Sequence, residues 1–204
     1  MTRLTGENAQ PGTVAPASAP DAAWKAGGWH WTNIALMASM HGLALLALVP
    51  GFFHWSAVLV MLGMFFVNGC LGVCLGYHRL LTHRSLRTPR LVEYFLTILG
   101  TLSFQGSPMQ WVGTHRIHHK ESDGPGDPHS PQHGFTWSHI LWCFYKHPDG
   151  CDPLDYTKDL QRDPGMRLID RFFYVPQIVL AFMLFGLGWL ALGSWQGGMA
   201  WMVW

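Results

Sequence analysis

The stretch FFHWSAVLVMLGMFFVNGCLGVCLGY, residues 52–77, holds no acidic or basic residue other than His54, and it is long enough to cross ~30 Å of hydrocarbon at ~1.5 Å per helical residue. That length without charge predicts a membrane span over about 52–75. A second stretch, WTNIALMASMHGLALLALVP (31–50), precedes it across a Pro50–Gly51 turn, and a third, FFYVPQIVLAFMLFGLGWLALG (172–193), carries its proline where a helix tolerates it best. MAWMVW (199–204) reads as the opening of a fourth span. LVEYFLTILGTLSFQGS (91–107) is shorter and holds Glu93 and Gln105, which suits an interfacial or half-buried helix.

Composition agrees with an all-α integral membrane bundle: 49% of the 204 residues are hydrophobic and only 12% are charged. Thirteen Lys and Arg against twelve Asp and Glu leave a net charge of +1, with no basic arm, so nucleic acid is not an expected partner. Cys70, Cys74, Cys143 and Cys151 form no C-x-x-C pair and read as reduced bystanders. Residues 1–28, rich in Pro, Ala and Gly without periodicity, read as a disordered tail without the layout of a secretory signal. The domain proper is then 29–204.

All the Lys and Arg except Arg3 and Lys25, eleven of the thirteen, lie between the second and third spans. The positive-inside tendency therefore predicts that the 76–171 segment forms a helical cap on the cytoplasmic side. Two histidine groups fall in it, GYHRLLTH (76–83) and WVGTHRIHHK (111–120). On an α-helix His115 and His119 lie about 40° apart and His118 about 60° to the other side, so these three share a face. His78 and His83, five apart, diverge by about 140° on an α-helix, which suits two ions, or one ion approached from a helix end. A lone histidine near an interface is more often a packing residue than a ligand, and His30, His41 and His54 read that way. Five rings in two tight groups beside Arg79, Arg84 and Arg116 have no packing rationale. Imidazole without clustered thiolate points to iron, zinc or copper, with redox iron in front. His129, His133, His139 and His147 stand between the two readings. Trp24, Trp29, Trp31 and Trp55 read as interfacial anchors.

GYHRLLTHRSLRTPRLVEYF and FQGSPMQWVGTHRIHHKESDGPGDPHSPQHGFTWSHILW, with the surrounding spans, resemble the membrane fatty-acid desaturases of the stearoyl-CoA and bacterial acyl-lipid type. H-x4-H, H-x-x-H-H, D-P-H-S (127–130) and G-F-x-W-S-H (134–139) occur in order, and the resemblance covers about residues 31–204. It implies a four-span bundle and a di-iron centre that uses O2 and two electrons to remove two hydrogens from an acyl-CoA or acyl-lipid chain, most commonly at delta-9. It makes His78, His83, His115, His118 and His119 iron ligands and sets Gln105 and Trp111 at the bend of an acyl tunnel. Arg84, Arg87, Arg90 and Lys120 are candidate head-group contacts. Electrons are expected from a separate carrier of ferredoxin, rubredoxin or cytochrome b5 type. The family pattern continues with a fourth-span His or Asn and a further H-x-x-H-H, which residues 1–204 do not contain, so the sequence reads as an N-terminal portion with the fourth span truncated. The alternatives are an inactive remnant and a related di-iron hydroxylase.

Overall fold

A computed structural model describes residues 21–204, with side chains from Trp24 onward. Most of the expected tail thus lies outside the described residues. From Asp21 the chain is already helical, in α1 (Asp21–Ala26), and Trp24 is buried edge-on against His147 at 5.2 Å. Its indole is therefore a core residue and not an interfacial anchor. Trp31 and Trp55, by contrast, are exposed at the starts of the first two spans.

The regular secondary structure of the described residues is helical, apart from one isolated bridge between Trp29 and Tyr145. Three helices are long and apolar enough to cross a bilayer: Trp31–Leu48, Trp55–Thr82 and Val175–Leu192. The first is α2 (Trp31–Ala44), prolonged by a 3-10 turn over Leu45–Leu48. His30 and His54 cap the first two span helices, accepting from the N–H groups of Asn33 and Ser56, so these isolated histidines serve the backbone. Side chains such as Leu59 and Leu190 are 70% and 83% exposed. Apolar surface of that extent on helices long enough to span suits contact with lipid.

The second span begins as α3 (Trp55–Phe65) and continues without a break as a π-helix over Phe66–Thr82. It therefore runs past the expected end near residue 75 and carries His78 within it. α4 (Arg90–Thr101) is too short to span and packs along the π-helix, where Gly72 and Gly76 let the two backbones meet: a Cβ at Gly76 would stand 2.7 Å from the Leu96 carbonyl oxygen. A turn with Phe104 and Gly106 at positive φ leads into α5 (Pro108–Glu121), which has proline at its first position. The Ser107 hydroxyl accepts from Gln110 N–H, and Asp170 accepts from Met109 N–H at 2.7 Å.

The loop after α5 holds the short α6 (Phe135–His139). It is followed by α7 (Lys158–Gln161), α8 (Pro164–Arg171), the third span α9 (Val175–Leu192) and α10 (Trp195–Val203), which packs back on α9. Gly188 and Gly197 allow that close return, and Gly193 makes the turn at φ 66°. Tyr77, Leu81, Met109, Val112, Leu160 and Met166 form one buried cluster where the π-helix meets α5, α7 and α8. The core thus lies directly under the two histidine-bearing elements.

Candidate metal centre

His83 N–H donates to the His78 carbonyl at 3.0 Å, and the Thr82 hydroxyl donates to the Tyr77 carbonyl, both across five residues. This i to i+5 winding completes slightly more than one turn in five residues. His78 and His83 consequently lie one above the other, with Nε2 atoms 3.0 Å apart. The divergence expected from α-helical winding is corrected here, because the winding itself is different. On α5 the α-helical expectation holds: His115 and His119 present Nε2 atoms 3.1 Å apart. The two pairs face each other, and ring nitrogens of His78, His83, His115 and His119 all lie within 4.8 Å of one another.

Arg116 fixes this juxtaposition. From α5 its guanidinium donates to the Leu81 carbonyl at the end of the π-helix (2.8 Å), to the Tyr156 carbonyl (2.6 Å) and to both carboxylate oxygens of Asp159 (2.7 and 3.0 Å). One planar fork thus ties together the two helices that carry the four histidines. Burial would push the Asp159 carboxyl up, but hydrogen bonds from Arg116 and Arg84 and their charges hold it well below the usual carboxylate range. One turn earlier on the same side of α5, Gly113 sits against the Pro153 carbonyl, too close to admit a side chain.

Burial, reinforced by His119, His78 and His118, pushes the His115 imidazole down to about 3, and burial followed by His83 lowers His119. Both are therefore neutral at physiological pH, the form in which imidazole ligates metal. His118 does not join the four. Its Nδ1 is 2.9 Å from Asp127 Oδ1 and its ring stacks on His129 at 4.3 Å, in a second group with the spacing of potential ligands. Sequence reasoning left His129 between the ligand and packing readings and placed Asp127 only in the D-P-H-S motif, without a role. The available signal was an acid inside the tight G-D-P-H-S turn, nine residues after a histidine.

Trp111 Nε1 donates to Gln105 Oε1 at 2.9 Å, and the Trp111 ring packs against His115 at 4.9 Å and Tyr77 at 5.5 Å. Gln105 borders two cavities. One of about 450 Å³ runs between the second span, α9 and α10, past Met64, Phe65, Leu184 and Trp201. The other, of about 620 Å³, reaches His115, Trp111, Trp24, Trp142 and His147. Of the candidate head-group cations, Arg84 pairs with Glu93 and Asp159, Arg90 pairs with Glu93 and Asp163, and Lys120 pairs with Glu121. Arg87 is exposed in the segment between the π-helix and α4.

Residues 53–204 match the family model described as fatty acid desaturase. The chain is 45% identical over 167 residues to the sn-1 stearoyl-lipid 9-desaturase of Anabaena variabilis, an alignment covering 82% of this chain and 60% of that protein. It is 44% identical to the sn-2 palmitoyl-lipid 9-desaturase of Nostoc sp. (strain 36), with 78% and 56% covered, and 36% identical to the chloroplastic palmitoyl-monogalactosyldiacylglycerol delta-7 desaturase of Arabidopsis thaliana, with 89% and 48% covered. The chain spans between about half and three-fifths of the length of these relatives. The family model covers the second and third spans, both histidine pairs and the Gln105–Trp111 hydrogen bond together, and on that ground the chain belongs to the fatty acid desaturase family.

Proposed function

We propose that the chain is part of an acyl-lipid desaturase that introduces a cis double bond, at delta-9, into a saturated chain. The observation that carries this reading is the meeting of four imidazoles from the π-helix and α5 beside the Gln105–Trp111 pair, with a cavity reaching His115. A metal–imidazole bond of roughly 2.1 Å sets adjacent ligands of one ion about 3 Å apart. The two Nε2 separations of 3.0 and 3.1 Å fit that requirement, and a nitrogen-only donor set suits iron. Iron bound there with O2 supplies an oxidant for a C–H bond that has no acidity of its own. The overall change is balanced when one CH2–CH2 unit, O2, two electrons and two protons give one CH=CH unit and two waters. The electrons come from a separate carrier.

The remaining tasks fall to the chain's own side chains. The Trp111–Gln105 bond fixes the junction between the two cavities, so that an acyl chain threaded through both is held at one methylene beside His115. His118 ligates a second iron, and Arg87 remains a candidate for head-group contact. The names of the Anabaena and Nostoc relatives, which specify lipid-linked substrates, support acyl-lipid over acyl-CoA as substrate. The cluster of Lys and Arg between spans two and three supports a cytoplasmic placement of the histidines. A reporter inserted between residues 120 and 160 should therefore read cytoplasmic, and a signal from the opposite face contradicts the orientation. The activity is tested by expressing the whole desaturase of which these residues are a part in a host without its own desaturase, with analysis of the lipid-linked fatty acids. New cis-9 monounsaturated palmitoyl or stearoyl chains are expected, whereas hydroxylated chains or unchanged lipids overturn the reading.

A further inference from the structure

Asp127 is fully buried in the loop after α5, outside the group of four imidazoles. Its Oδ1 accepts from His118 Nδ1 at 2.9 Å and from the His129 N–H at 3.1 Å, and its Oδ2 accepts from the Asp123 N–H at 3.0 Å. A carboxylate only accepts, so the His118 proton sits on Nδ1 and Nε2 is left bare. The His129 ring, stacked on His118 at 4.3 Å and held in turn by Trp142 at 5.1 Å, fixes the plane of the imidazole. Asp127, His129 and His118 also have the spacing of a three-ligand metal site. The hydrogen bonds argue against that role for Asp127, because both its oxygens already face N–H donors and a metal would have to displace them in a buried turn.

We propose that Asp127 is a positioning residue: it holds His118 in the tautomer and ring orientation that offers Nε2 to a metal, while the stacked His129 ring keeps the imidazole from turning. The D-P-H-S turn then has a stated task, since Pro128 and the Asp127 carboxylate together bring His129 back over His118. This inference rests on the reading of His118 as an iron ligand, and its test separates the two.

The test is a double-mutant cycle on iron retention by the purified protein, read by chelator titration and by Mössbauer spectra of iron-57-loaded samples. Asp127→Asn should weaken retention of one iron population by about 10- to 100-fold, and Asp127→Glu should restore part of it. His118→Ala should weaken the same population, and the double variant should be no worse than His118→Ala, because the carboxylate acts only through that ring. Multiplying losses in the double variant would show an independent role, as a ligand or as a general support of the loop, and would overturn the proposal. Wild-type retention and an unchanged spectrum in Asp127→Asn would overturn it as well. Unchanged iron in His118→Ala would instead remove the ligand reading on which it stands.

Discussion

At the scale of single residues, the centre depends on one arginine as much as on its histidines. Arg116 is the only side chain among the described residues that donates to both the end of the π-helix and the Tyr156–Asp159 segment. Lysine cannot reproduce that planar fork. Arg116→Lys is therefore expected to cost about 1–3 kcal/mol by leaving the Leu81 or Tyr156 carbonyl without its donor, and to lower iron retention by loosening the two helices. Denaturation in detergent with parallel metal analysis measures both, and wild-type values would show that the fork is dispensable. Its partner Asp159 sets a pH response. The folded carboxyl titrates below its ordinary value of 3.8, so the contribution of the ion pair is present above that pH and is lost as the pH falls below it. The carboxylate is 42% exposed, and solvent screening keeps the effect small. Thermal midpoints measured from pH 5 to pH 3 should fall less steeply in Asp159→Asn than in the wild type; equal slopes would exclude this group as a cause. Residue identity made some of this legible in advance. The His115–His119 pair followed from α-helical spacing, whereas the separation of His118 depended on where a later loop carries Asp127, which spacing on one helix cannot show.

At the scale of elements, the π-helix explains why sequence reasoning grouped His78 with His83 but expected the wrong angle between them. Both residues were evident as a pair, but the angle between them depends on the winding, and the apolar run over 66–82 has no proline to mark a change from α to π. The glycines offered an indirect sign. Gly72 and Gly76 have backbone neighbours closer than a side chain permits, whereas nothing lies within 4 Å of Gly63 in the α-helical part of the same span. Gly76→Ala would drive a methyl group against the Leu96 carbonyl in a packed helix, at an expected cost of about 1–3 kcal/mol. That exceeds the 0.5–1 kcal/mol or so that alanine ordinarily gains over glycine in a helix. Gly63→Ala should be neutral or stabilising. Comparing their thermal midpoints in detergent tests the register of π-helix on α4, and a harmless Gly76→Ala would contradict it. The spans themselves were legible because length and lack of charge suffice for them. Their ends were less so: the second span continues to Thr82, and the helix around Trp24 was hidden by a composition typical of tails.

At the scale of the whole molecule, two unlike structures converge on one point. A long span helix emerges from the apolar layer carrying one histidine pair, and α5, bound to it by Arg116 and by the Tyr77–Val112 core, carries the other. The apolar surfaces of the spans need lipid, while the ion pairs of Arg84, Arg90, Arg116 and their carboxylates need the polar side, so the histidines are set at the boundary between the two. Under the proposed function, a lipid-borne chain would meet the metal there without leaving the membrane layer. This account stands or falls on the four imidazoles acting as one ligand set. The most direct test is the iron content of protein purified from cells grown with ample iron, compared between the wild type and the double variant His115→Ala, His119→Ala. The account predicts bound iron in the wild type and loss of most of it in the double variant while the protein remains folded; undiminished iron in the folded double variant would contradict it.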